Sequence, residues 1–74
     1  MAELVREASL SGRRIATFRC YDAPDGVTVV EAEITPATGN PIARGPYRFA
    51  SAADGFRFVQ EATLALQYLG CAIA

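Results

Sequence analysis

The chain has 74 residues, 51% of them apolar and 20% charged; that length carries one domain with one core, and the composition excludes a disordered or collagen-like chain. All seven basic residues are Arg, set against eight Asp and Glu, for a net charge of −1, so no strong field draws in nucleic acid or an anionic membrane. Two cysteines and no His are too few for a disulfide framework or for a zinc site of about four ligands.

The opening stretch MAELVREASLSGRR places a charge inside every apolar run. That pattern fits neither a signal peptide nor a membrane span, and a soluble, cytoplasmic protein is expected. Residues 3–10 then alternate with period two and read as a first strand, closed by Ser11-Gly12-Arg13. A second strand covers 14–21. The connection DAPDG, residues 22–26, combines Pro24, which presets φ, with Gly26, which tolerates φ > 0. Residues 27–35 are rich in β-branched side chains and form a third strand. PATGNP, 36–41, cannot continue a ladder, and a fourth strand follows over 42–49.

A correct register must bring like faces together. Pairing Tyr21 with Val27 sets Phe18 opposite Val30 and Arg19 opposite Val29. Pairing Thr35 with Ile42 sets Val30 opposite Tyr47 and Glu33 opposite Arg44. A three-residue first turn sets Ala8 opposite Ala16 and Leu4 opposite Cys20. All three hairpins agree on one apolar face, and Arg6 falls on it too, as suits a strand at the sheet edge where a long side chain reaches water. Val5, Ile15, Tyr21, Val27, Val29 and Ile42 fall on the other, open face.

Ser51 is a candidate N-cap, with Asp54 in the first turn, for a helix over 52–69 that Gly70 ends. Such a helix is about 27 Å long and spans a strand of about 25 Å. The predicted architecture is α+β: a four-stranded antiparallel β-meander with one C-terminal helix packed on one face, in a single domain, 1–74, with a short apolar tail from 70 to 74. Phe58, Val59, Ala62, Ala65, Leu66 and Leu69 make a core-facing stripe about 120° wide. Arg57, Glu61, Leu64 and Tyr68 lie on the far side, where Leu64 and Tyr68 form an apolar patch that the core does not use.

That surplus predicts a non-enzymatic protein-binding module, homodimeric and accessory, regulatory or inhibitory. The helix outer face (Arg57, Glu61, Leu64, Tyr68) and the open sheet face (Arg19, Tyr21, Val29, Arg44, Arg48) are the two candidate surfaces. Pairing of first-strand edges is a third route to a dimer. Catalytic chemistry finds little support. Glu31 and Glu33 read as cross-strand ion-pair partners, Glu33 with Arg44, rather than as a carboxylate pair. The loop with Asp22, Asp25 and Gly26 lacks the Ca²⁺-loop pattern. Cys20 has no His to activate it and faces the core. Gly39 and Gly45 do not lead into a helix, so neither builds a phosphate loop. No cofactor or metal is expected. Two alternatives stand beside this reading. One is single-stranded nucleic acid on the open face, where Glu3, Glu7, Glu31 and Glu33 would oppose phosphate. The other is a small apolar ligand between sheet and helix, in room left by Ala8, Ala16, Ala32, Ala62 and Ala65.

Overall fold

A computed structural model describes residues 3–74. It consists of β1 (Leu4–Leu10), β2 (Arg13–Asp22), β3 (Thr28–Ile34), β4 (Ile42–Phe49), α1 (Ala52–Tyr68) and β5 (Ala72–Ile73). The sheet order is β4-β3-β2-β1-β5, antiparallel throughout, with α1 on one face. The expected α+β meander with its C-terminal helix is borne out, and β5 is an addition to it. None of the helices is long and apolar enough to cross a membrane among the described residues.

The helix ends are built as their residues dictate. Ser51 has extended backbone, and its hydroxyl accepts from the Asp54 N–H at 3.2 Å. At the other end Gly70 takes φ +97°. There the Cys71 N–H donates to Leu66 and the Gly70 N–H to Gln67, the paired bonds of a Schellman motif. That turn sends the chain back along β1. Cys71 is buried, and Glu7 and Ala74 exchange backbone bonds of 3.0 and 2.9 Å. The outer edge of β1 near Glu7 and Ser9 is therefore occupied by the tail, which removes much of the edge expected there for pairing with another copy.

Each hairpin keeps the expected faces over part of its length, and two change phase. In β1–β2 Leu4 pairs with Cys20 and Ala8 with Ala16 as expected, but a bulge follows and Leu10 pairs with Arg13. The turn there uses two residues with positive φ, Ser11 and Gly12, so Ile15 is the extra residue. In β2–β3 the ladder is offset by two: Cys20 faces Val30 and Arg19 faces Glu31. The loop closes one residue later than expected, with the Ala23 N–H donating to Val27 and Asp22 pairing with Thr28. An offset of two preserves the faces. In β3–β4 Val30 pairs with Tyr47 as expected. A bulge at Gly45-Pro46 then leaves Arg44 opposite Ala32 and Ile42 opposite Ile34, not opposite Glu33 and Thr35. Gly45 has φ +92°, and a Cβ there would lie 3.0 Å from the Val30 carbonyl oxygen, so only Gly suits that corner.

The core joins Ala8, Ala16, Phe18, Cys20, Val30 and Ala32 of the sheet to Val59 and Cys71. The face that α1 buries is Gly55, Val59 and Thr63, flanked by the half-buried Phe58, Ala62 and Leu66. Ala65 and Leu69, expected in the core, are exposed. The helix crosses the sheet diagonally. Its first turns pack Phe58 on Tyr47 and Phe49 of β4, with ring centroids 5.2 and 5.5 Å apart, and its last turn leads into β5 at the opposite edge. Buried polar groups are satisfied locally. The Thr63 hydroxyl donates to Val59 and Gln60 carbonyls, and that of Thr28 to the Asp22 carboxylate.

Candidate functional site

The open sheet face is a lattice of ion pairs built by register. Arg19 has Glu3 at 2.6 Å and its cross-strand partner Glu31 at 3.7 Å, and its guanidinium carbon stands 5.7 Å from the Tyr21 ring centre. The Tyr21 hydroxyl donates to Glu31 at 2.7 Å. Arg48 reaches Asp25 at 2.6 Å, while the other Asp25 oxygen accepts the Val27 N–H. Arg14 pairs with Glu7 at 3.3 Å. The hydrogen bond to Glu3 holds the Arg19 guanidinium above its ordinary value, and the bond to Glu31 raises the Tyr21 phenol. The Val27 N–H, followed by Arg48, pulls the Asp25 carboxyl down. All of these groups are solvent-screened, so the pairs fix side-chain positions more than they stabilise the fold.

Two residues expected on this face are placed differently from the expectation. Val29 is buried, because both its direct neighbours, Tyr21 and Arg48, stand over the same face. Arg44 is carried by the bulge into register with Ala32, on the helix side of the ladder, and donates to the Ala43 carbonyl. The expected Glu33–Arg44 pair does not form. Glu33 faces Ala43 and makes no ion pair among the described residues. The bulge opens a cleft of about 370 Å³ lined by Thr17, Arg19, Glu31, Glu33, Arg44 and Pro46. Its lining carries two carboxylates, two arginines and the Thr17 hydroxyl.

The helix outer face carries Arg57, 3.9 Å from Asp54, and Glu61, Leu64 and Tyr68. Leu64 is 51% exposed and Tyr68 86%, and beside them Leu69 is 74% exposed. At 100° per residue Leu66, Ala62, Leu69, Ala65, Tyr68 and Leu64 form one apolar sheath covering about 200° of the helix circumference. The sequence does not distinguish a stripe centred on Ala62 from the observed one centred on Val59, which leaves Leu69 and Ala65 on the surface.

Beside this sheath lies a groove of about 530 Å³, where the diagonal helix leaves one corner of the sheet bare. Leu10, Ile15, Phe18, Ile34, Ala62 and Leu66 line it, and Arg13 at its rim donates to the Thr35 carbonyl. Ile15 and Ile42 belong to the helix side rather than the open face, since each follows a phase change. The Gly45-Pro46 pair signalled the second bulge; no residue signalled the first.

The two thiols are free and buried. Burial, and then Asp22, push the Cys20 thiol up, away from the reactive thiolate. Among the described residues no three potential metal ligands come together. The chain matches no protein-family model, and no curated protein or solved structure is significantly similar to it.

Proposed function

We propose that this protein works by binding protein, as an accessory, regulatory or inhibitory module without catalysis, through the C-terminal half of α1. One observation carries this reading: Leu64, Tyr68 and Leu69 are uncovered together on one uncharged stretch of helix. Scattered apolar residues on a surface are ordinary, whereas a contiguous apolar strip in so small a domain marks a contact. Arg57 and Glu61 would form its polar border. The open face offers a second, preordered surface in Arg19, Tyr21 and Arg48. Two free thiols suit a reducing compartment, and we place the activity in the cytoplasm.

Nucleic-acid binding is the weaker reading, because Arg14, Arg19 and Arg48 each already face a carboxylate that phosphate would have to displace. No retardation of single-stranded DNA or RNA is expected even at low salt, and a salt-sensitive shift would replace the protein-binding reading. The direct test is capture from native lysate by wild type and by a Leu64→Glu/Tyr68→Glu variant whose circular dichroism is unchanged. Proteins retained by the wild type alone support the helix face. Identical sets from both would sink it.

A further inference from the structure

We infer that the partner on this surface is a second copy of the chain, the two copies packing their α1 C-terminal halves across a two-fold axis so that each covers the other's groove. This rests on the protein-contact reading above and names its partner.

Shape is the first argument. The sheath and the groove adjoin, so one surface holds both a ridge, Leu64 and Tyr68, and a trench floored by Ile15, Phe18 and Ile34. A two-fold contact uses the same patch on both copies, so adjoining projecting and receding parts let each copy's ridge enter the other's trench. The small side chains Ala62 and Ala65 between ridge and trench let two helices approach closely.

Charge is the second. A two-fold brings residues near the axis against themselves, so a charge there would be repelled by its own copy. Ala65, Tyr68 and Leu69 are uncharged. The borders differ in sign, Glu61 on the helix and Arg13 on the groove rim, so a crossing of the two copies sets unlike charges at the edge of the contact.

Area is the third. Leu64, Tyr68 and Leu69, with Leu10, Ile34 and Ile42 about two-fifths exposed each, present roughly 600–700 Å² of surface, against the about 800 Å² per partner of a standard interface. Ala62, Ala65 and the polar borders can supply the remainder. A small ligand fits less well. The groove is open along its length, which leaves one side of any ligand in water, and among the described residues no buried polar side chain lines it.

The test is sedimentation of the full chain as wild type, Leu69→Glu, Ile34→Glu and, on the open face, Arg48→Ala, each checked for fold by circular dichroism. The expected result is a wild-type dimer, unchanged by Arg48→Ala. Leu69→Glu on the helix sheath and Ile34→Glu in the groove should each raise its dissociation constant by about 30-fold or more. Two outcomes overturn the inference: a dimer indifferent to both Glu substitutions, or a wild type still monomeric at ~100 µM, where a contact of this size should be populated. Were the wild type monomeric, lysate capture that depends on Leu69 would preserve the protein-contact reading with a different partner, and its absence would end both.

Discussion

Gly55 decides how closely α1 can approach the sheet. A Cβ there would lie 2.6 Å from Thr28 Cγ2 and 3.2 Å from Cys20 Sγ, both on β-strands beneath the first helical turns. Ala is the better helix former by about 1 kcal/mol, but overpacking at such a contact costs about 1–3 kcal/mol, and both Thr28 and Cys20 are fully buried and cannot move aside. Gly55→Ala should therefore lower stability, by up to about 2 kcal/mol in urea unfolding; an unchanged or higher midpoint would show that the helix can lift without cost. Asp25 acts through charge instead. Its carboxyl is held below the ordinary 3.8 by the Val27 N–H and Arg48. Its contribution is therefore complete above the unfolded value and is lost as pH falls through the folded one. Thermal unfolding between about pH 2 and pH 6 should fall less steeply for Asp25→Asn than for wild type, and parallel curves would mean that the turn does not use the charge. Arginines also guard the sheet edges. Val5 lies two residues from Glu7 and so directs its carbonyl toward the same outer edge, beyond the reach of β5; Arg6 donates to it at 2.9 Å. Arg44 donates to the Ala43 carbonyl in β4 at 3.1 Å. Each guanidinium occupies an acceptor that an incoming strand would need, which leaves side chains, not backbone, to make any contact between copies.

At the level of elements, β5 shows how two residues can matter to a fold. It exists because Gly70 reverses the helix end, and it secures Cys71 and Ile73 against the core while Ala74 closes two bonds with Glu7. Removing residues 71–74 should cost about 2–4 kcal/mol from lost burial and hydrogen bonds, a large share of what a core of this size supplies. Amide exchange at Glu7 should then speed up well before that in β2–β3, and unaltered protection at Glu7 would show that β5 is ornamental. The same elements show what the sequence could convey. Period-two alternation and turn chemistry carried the strand order, the Val30–Tyr47 and Ala8–Ala16 pairs and the Ser51 cap, because these depend on local residues alone. Bulges are different. One extra residue inverts every side chain beyond it, so Ile15, Ile42 and Arg44 depart from the faces that simple alternation predicts although their strands are as expected. β5 is too short to show any period. Leu69 was misplaced for a further reason: its stripe depends on the helix azimuth, which is set by Gly55 touching Thr28, a contact between residues far apart in the chain.

For the whole molecule the governing fact is a mismatch of widths. Five strands at about 4.8 Å spacing make a sheet about 19 Å across, and one helix about 10 Å wide covers half of it. A diagonal course from β4 to β5 spreads that cover but leaves the corner at Leu10, Ile15 and Ile34 bare. The candidate site was thus half legible: Leu64 and Tyr68 showed in the helical wheel, whereas the groove beside them is a product of the crossing angle and of two bulges. If a second copy covers that corner, association is coupled to folding, and stability must depend on protein concentration. A tenfold rise in concentration then favours the folded dimer by about 1.4 kcal/mol. Set against the unfolding enthalpy of two 74-residue chains, that amounts to an increase in Tm of about 3–6 °C per decade. Below its weakened dissociation constant Leu69→Glu should lose the slope and keep a lower, concentration-independent Tm, while Arg48→Ala should keep the slope, because Arg48 belongs to the open face. A wild-type Tm that does not move over two decades of concentration would mean that the bare corner is tolerated by the isolated chain, and that its core of small side chains suffices alone.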